Sequence, residues 1–175
     1  MSTSDIDGKL SQGWGGKTPN GCHVNVLLAR RGSPTAAGIA QVFTSPTSGF
    51  TPILACLGPD QPSYVTVNPP TVILNKTPAV TDLEQSLVSG AAQVGISQGV
   101  LDAVAEDLLG ADQETVVLVS LWLDPEAADE TEVRHSSREA TLSALREAID
   151  GQGQEARLGL VGSRESVTHP FYNGD

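Results

Sequence analysis

Few residues in this sequence could do chemistry. Cys22 and His23 are adjacent, which invites a thiol nucleophile with a neighbouring base. On a strand, however, adjacent residues point to opposite faces, so Cys22 reads as a small buried residue. The same rule puts His23 and Asn25 on one face. The spacing of three histidines (His23, His135, His169) and two cysteines (Cys22, Cys56) does not suit a structural zinc site. His135, among Glu132, Arg134 and Arg138, reads as a solvated helix residue. Lys76 is the only lysine after Lys17, a hint of function in so acidic a chain, with an ion pair as the plainer reading. In Arg30-Arg31-Gly32-Ser33-Pro34, two arginines precede the free amides of a helix start. That is an anion site or, equally, a capped helix with surface arginines. Gly16-Lys17-Thr18 imitates the end of a phosphate-binding loop. Ser11 stands where that motif needs glycine and no buried strand precedes it, so a mobile Gly-rich arm is expected instead.

These side chains need a scaffold. The length of 175 residues fits one domain, and 39% hydrophobic content fits a globular protein. Formal charge is −11, and all of it falls in residues 91–175 because residues 1–90 balance. With no basic face, neither nucleic acid nor an anionic membrane is expected as a partner. The acidic half could face a basic partner, but acidic helix faces are usually solvated. No secretory leader or membrane-length apolar run is read, so a reduced, cytoplasmic protein is expected.

Residues 1–21 read as an irregular arm and 22–175 as one domain. His23–Ala29 alternates and predicts a strand. Ser33 as N-cap with Pro34 at the first helical position predicts a helix to about Phe43. Phe50–Leu57 predicts a strand whose Pro52 suits an edge or a bulge. Thr71–Asn75 predicts another. Thr81 and Glu84 have capping-box spacing, so a helix should start at Asp82, bend or break near Gly90, and end near Leu109. Thr115–Leu123 is apolar enough to predict a strand buried on both faces. A helical region follows Asp124-Pro125, steadiest over Arg138–Asp150. The class is α/β (α+β): a single mixed sheet with β-α-β units and helices packed on it.

The order of several short motifs is more specific than any one of them. His23-Val24-Asn25, Arg31-Gly32-Ser33-Pro34, Gly49-Phe50-Thr51, Leu54-Ala55, Asn75-Lys76, Gly90-Ala91-Ala92-Gln93 and His169-Pro170-Phe171 follow one another. The sequence thereby resembles the formaldehyde-activating enzyme family over roughly residues 22–150 plus the C-terminal His-Pro-Phe. The resemblance implies a homopentamer with an intersubunit cleft for tetrahydromethanopterin, used as co-substrate without a metal. It implies condensation of formaldehyde with that pterin to methylene-tetrahydromethanopterin and water. A pterin nitrogen adds to formaldehyde, and the carbinolamine hydroxyl must be protonated before it leaves as water. A histidine is a natural general acid for that step. The resemblance assigns this role to His23 and puts Asn25, Leu54, Lys76, Pro78 and Gln93 on pterin-contacting positions. Lys76 and Gln93 keep the family's residue type. Asn25 stands where the family has Asp, and Pro78 where it has Thr. These departures motivate an alternative: a non-catalytic paralogue that binds a reduced pterin or folate, or senses formaldehyde.

Overall fold

The computed structural model describes residues 5–174. Five strands form one mixed sheet: β1 (Leu10–Gly15), β2 (Cys22–Arg30), β3 (Ile53–Leu54), β6 (Thr71–Asn75) and β7 (Thr115–Leu123), in spatial order β1-β2-β7-β6-β3. Only β6 and β7 run parallel, and the intervening helical segment carries the crossover that parallel strands require. A separate ribbon pairs β4 (Cys56–Leu57) with β5 (Val65–Thr66).

The helices follow the local signals. Ser33 Oγ accepts from the amide of Ala36 and caps α1 (Pro34–Ala40). Thr81 and Glu84 close a reciprocal capping box on α2 (Asp82–Gln85). A widened π-helical turn over Ser86–Ala92, which includes Gly90, joins α2 to α3 (Gln93–Ala105). Asp129 caps the long α4 (Glu130–Asp150), and α5 (Gln154–Gly162) follows with no buried residue.

The alternating strands sort their side chains between two faces. On one face Val24, Val26, Leu28, Ile73, Val117, Val119 and Leu121 meet α3 and α4 in the main core. Helices α3 and α4 approach closely because glycines line their contact: a Cβ on Gly99 would lie 2.8 Å from the carbonyl oxygen of Arg138. Arg138 bridges to Asp102 at 2.6 and 2.7 Å, and Arg146 bridges to Glu106. Part of the acidic excess is thus answered within the helical layer. The opposite face is only partly covered. There Ile39 of α1 joins Ala29 and Val72 in a small second core beside Leu27, Val116 and Leu118.

Four expectations need correction. The arm 1–21 is not irregular throughout, since Leu10–Gly15 forms the edge strand β1. Its glycines obscure the alternation because their missing side chains admit α4: a Cβ on Gly13 or Gly15 would collide with the α4 backbone. Phe50–Leu57 is not one strand; it divides at Ala55 between the edge of the main sheet and the β4–β5 ribbon. The helix from Asp82 ends at Ala105, and Asp107 takes a positive φ of 59° in the turn that follows. Finally, β7 is buried on one face only, with Val116, Leu118, Ser120 and Trp122 half-buried on the other.

Candidate active site

The partly open sheet face carries the candidate residues. Its cross-strand rows follow from the register. Trp14, His23 and Trp122 lie side by side, and the next row holds Gln12, Asn25, Ser120 and Leu74. The third row runs from Leu27 through Leu118 and Val72 to Leu54 on the β3 edge. Leu54 therefore shares the face of His23, but belongs to the row that α1 helps to close.

Lys76 is set by the turn that ends β6. Its amide donates to the carbonyl of Leu121 at 2.6 Å. On one side, the buried Asn75 donates its side-chain amide to the carbonyls of Gly49 and Thr77 at 2.7 and 2.6 Å. On the other, Thr77 Oγ1 donates to the carbonyl of Leu123 at 3.0 Å. With its backbone fixed, Lys76 lays its ammonium against the row of His23. Nζ lies 2.7 Å from Asn25 Oδ1 and 3.4 Å from His23 Nδ1.

The other imidazole nitrogen is held as well. His23 Nε2 lies 3.1 Å from Gln12 Oε1, while the amide nitrogen of Gln12 donates to Glu147 of α4 at 3.4 Å. The carboxylate accepts only, so it turns the Gln12 carbonyl towards His23. Nε2 must then carry a proton to donate, which leaves Nδ1 as the acceptor facing Lys76 in the neutral ring. Burial first, then the positive charge of Lys76, holds His23 below its ordinary pKa. Partial burial also lowers that of Lys76, although its side chain remains accessible to solvent. Two nitrogens of lowered basicity thus face each other over 3.4 Å and can share a proton.

Aromatic rings flank the pair. Trp14 and Trp122 lie 6.1 Å apart by ring centroid, and Phe171 lies 6.2 Å from Trp122. The C-terminal His-Pro-Phe therefore returns to the His23 row. A planar ligand could rest on these faces, while the polar row beside them offers donors and acceptors.

The remaining expected site residues lie elsewhere in the local structure. Gln93 opens α3, accepts from the amide of Cys56 at 3.0 Å and donates to the carbonyl of Ser89. It ties the β4 ribbon to the helix. Pro78 packs beside Gly49 in the loop after Lys76. The structure thus brings together His23, Asn25 and Lys76, sets Leu54 on their face, and gives Gln93 and Pro78 partners outside that trio.

Sequence reasoning did not single out Gln12, Trp14 or Trp122, and it named Asn75 only within the Asn75-Lys76 motif, with no role. Trp14 sits two residues from Gln12, and this period-two spacing was the available signal for a common strand face.

Two other candidates resolve locally. The turn before α1 already holds a carboxylate: Asp7 accepts from the Arg30 amide and Ser33 Oγ, both at 2.7 Å, and from Thr35 Oγ1, while the Ala36 amide of the helix start is capped by Ser33 Oγ. These bonds, the Arg30 amide foremost, lower the Asp7 pKa. Cys22 is fully buried, and burial pushes its thiol up to about 12. It stays protonated at neutral pH and is no nucleophile. No group of three His, Cys, Asp or Glu among the described residues is placed to hold a metal ion. No described helix is long and apolar enough to cross a membrane.

The electrostatics give a direct prediction. Lys76→Met removes a cation while keeping an unbranched chain. The His23 titration, followed by the NMR shift of its ring proton, should move upward. It should remain below 6.5, because burial is the larger cause and persists.

The family model described as formaldehyde-activating enzyme (Fae) matches residues 13–172, from β1 to the C-terminal aromatic segment. A protein of Methanosarcina barkeri named 5,6,7,8-tetrahydromethanopterin hydro-lyase is 29% identical over 158 residues, covering 89% of this chain and 85% of the relative. Bifunctional Fae/Hps enzymes of Methanococcoides burtonii and Archaeoglobus fulgidus are 29% and 31% identical, over 78% and 73% of this chain. The chain spans about a third of the length of these bifunctional relatives (34% and 32%). With the match running from the edge strand to the tail that reaches Trp122, the chain belongs to the formaldehyde-activating enzyme family.

Proposed function

We propose that this protein condenses formaldehyde with tetrahydromethanopterin, or a related reduced pterin, to the methylene derivative and water. The observation that carries the reading is the His23–Lys76 pair at 3.4 Å beside an aromatic ledge, in a chain of this family. The name of the M. barkeri relative supplies the pterin and the hydro-lyase chemistry.

One pterin nitrogen adds to formaldehyde, giving a carbinolamine. His23, protonated at Nδ1 with Lys76 as a neighbouring proton source, donates to the hydroxyl, which leaves as water. The second pterin nitrogen closes on the resulting iminium and loses its proton. Two N–H hydrogens and the formaldehyde oxygen thus leave as water. Asn25, Leu54, Lys76, Pro78 and Gln93 are proposed pterin contacts by family position. Trp14 and Leu54, each 44% exposed on this face, suit coverage by a second subunit of a cytoplasmic homopentamer.

Asn25 favours a second reading. Its amide oxygen accepts from Lys76 where the resemblance expects a carboxylate, so no negative charge at that position supports an imidazolium. A non-catalytic paralogue would bind reduced pterin without speeding condensation. Calorimetry together with a condensation assay separates the two. Binding with acceleration above the spontaneous reaction supports the enzyme, binding without acceleration supports the paralogue, and no binding overturns both.

A further inference from the structure

We propose that Lys76 takes up formaldehyde covalently and passes its carbon to the acceptor amine, so that the reaction runs through a lysine-bound methylene. The proposal rests on the reading above only for the identity of the aldehyde and the acceptor, and it replaces direct addition of the pterin nitrogen to free formaldehyde with a route through Lys76. Its own ground is local. A lysine amine is a nucleophile towards a small aldehyde once it has given up its proton. The structure supplies a place for that proton: Gln12 fixes the Nε2–H form of His23, and the free Nδ1 faces Lys76 Nζ at 3.4 Å. Among the described residues Lys76 makes no ion pair with a carboxylate. Its close partner is the neutral carbonyl of Asn25 at 2.7 Å, which orients the amine without stabilising an ammonium as a carboxylate would. Partial burial also favours the free amine. The residue is accessible to solvent, so an aldehyde can reach it.

The steps balance. The Lys76 ammonium gives a proton to His23 Nδ1. The amine adds to the formaldehyde carbon, and proton transfer from nitrogen to oxygen gives N-hydroxymethyl-lysine. The His23 imidazolium protonates the hydroxyl, the C–O bond breaks, water leaves, and Lys76 holds the carbon as an iminium. A substrate N–H attacks that carbon and gives its proton to His23. The proton then passes to Lys76 nitrogen, the Lys76–carbon bond breaks, and the free amine returns while the substrate keeps an iminium for its second nitrogen to close. Nothing is oxidised or reduced.

The chain suits a trapping test because it has only three lysines, Lys9, Lys17 and Lys76. The full-length protein is treated with limiting isotopically labelled formaldehyde and cyanoborohydride, which reduces an iminium to a stable N-methyl group. Peptide mass mapping then locates the label. The expected result is label on Lys76 in excess over Lys9 and Lys17, reduced in His23→Ala and in Asn25→Asp. The latter restores a carboxylate that should hold the ammonium. Equal labelling of the three lysines overturns the proposal. So does a Lys76→Arg variant that condenses formaldehyde at the wild-type rate. Acceleration of condensation without label on Lys76 refutes the carrier and leaves the activity standing. Preferential, His23-dependent label without acceleration upholds capture at Lys76 and refutes the pterin condensation.

Discussion

His23→Ala should lose about 10²–10⁴-fold in the catalysed rate of condensation, the usual worth of a placed general acid. The fold should survive, which makes the loss interpretable. His23 is half-buried on the partly open face, whereas its neighbours Cys22 and Val24 point into the main core and are fully buried. The backbone pairing of β2 with β1 and β7 needs no side chain at position 23. Thermal unfolding should therefore stay close to wild type. His23→Gln is the sharper variant, because glutamine can keep a hydrogen bond in the Gln12–Lys76 frame but cannot deliver an acid proton at neutral pH. Restored activity in that variant would show that the ring serves only to position its neighbours.

Gly13→Val should cost the protein a measurable part of its stability. Gly13 faces α4, where an added Cβ would overlap the Ala140 carbonyl oxygen and lie 2.9 Å from the Ala144 amide nitrogen. These are backbone atoms of a helix and cannot swing aside. Overpacking of this kind typically costs about 1–3 kcal/mol. In a domain of this size that lowers Tm by roughly 2–12 °C. The effect should extend to the site, because Gly13 lies between Gln12 and Trp14 on β1. Displacing the strand loosens the Gln12–His23 bond and the Trp14–Trp122 contact together. Gly38→Ala is the control, since a Cβ there meets nothing within 4 Å. Calorimetric unfolding of both variants checks the prediction, and a Gly13→Val protein as stable as wild type would contradict this account of β1.

The sequence was most legible where a local signal and the tertiary structure agreed. Thr71–Asn75 and Thr115–Leu123 form strands over the expected residues, and the Ser33 cap and the Thr81–Glu84 box are both made. It was least legible where side chains are missing for a tertiary reason. Gly13 and Gly15 have no hydrophobic pattern to show, because the α4 backbone occupies the space that side chains would fill. Gln12 was missed with them, although it fixes the tautomer of His23. The proximity of Lys76 to His23 spans 53 residues of sequence and depends on β6 and β2 flanking β7, which no local pattern encodes. The charge asymmetry also reads differently once folded. Asp102 and Glu106 pair with α4 arginines, and Glu147 reaches the Gln12 amide, so some of the acids in the second half bind the layer together and one of them helps to orient the site.

The most direct test of the central claim is the initial rate of methylene-pterin formation from formaldehyde and tetrahydromethanopterin, compared with the spontaneous reaction under the same conditions. The account predicts a rate that rises in proportion to protein concentration and collapses towards the spontaneous value in His23→Ala. A rate equal to the spontaneous one at high protein concentration would contradict it.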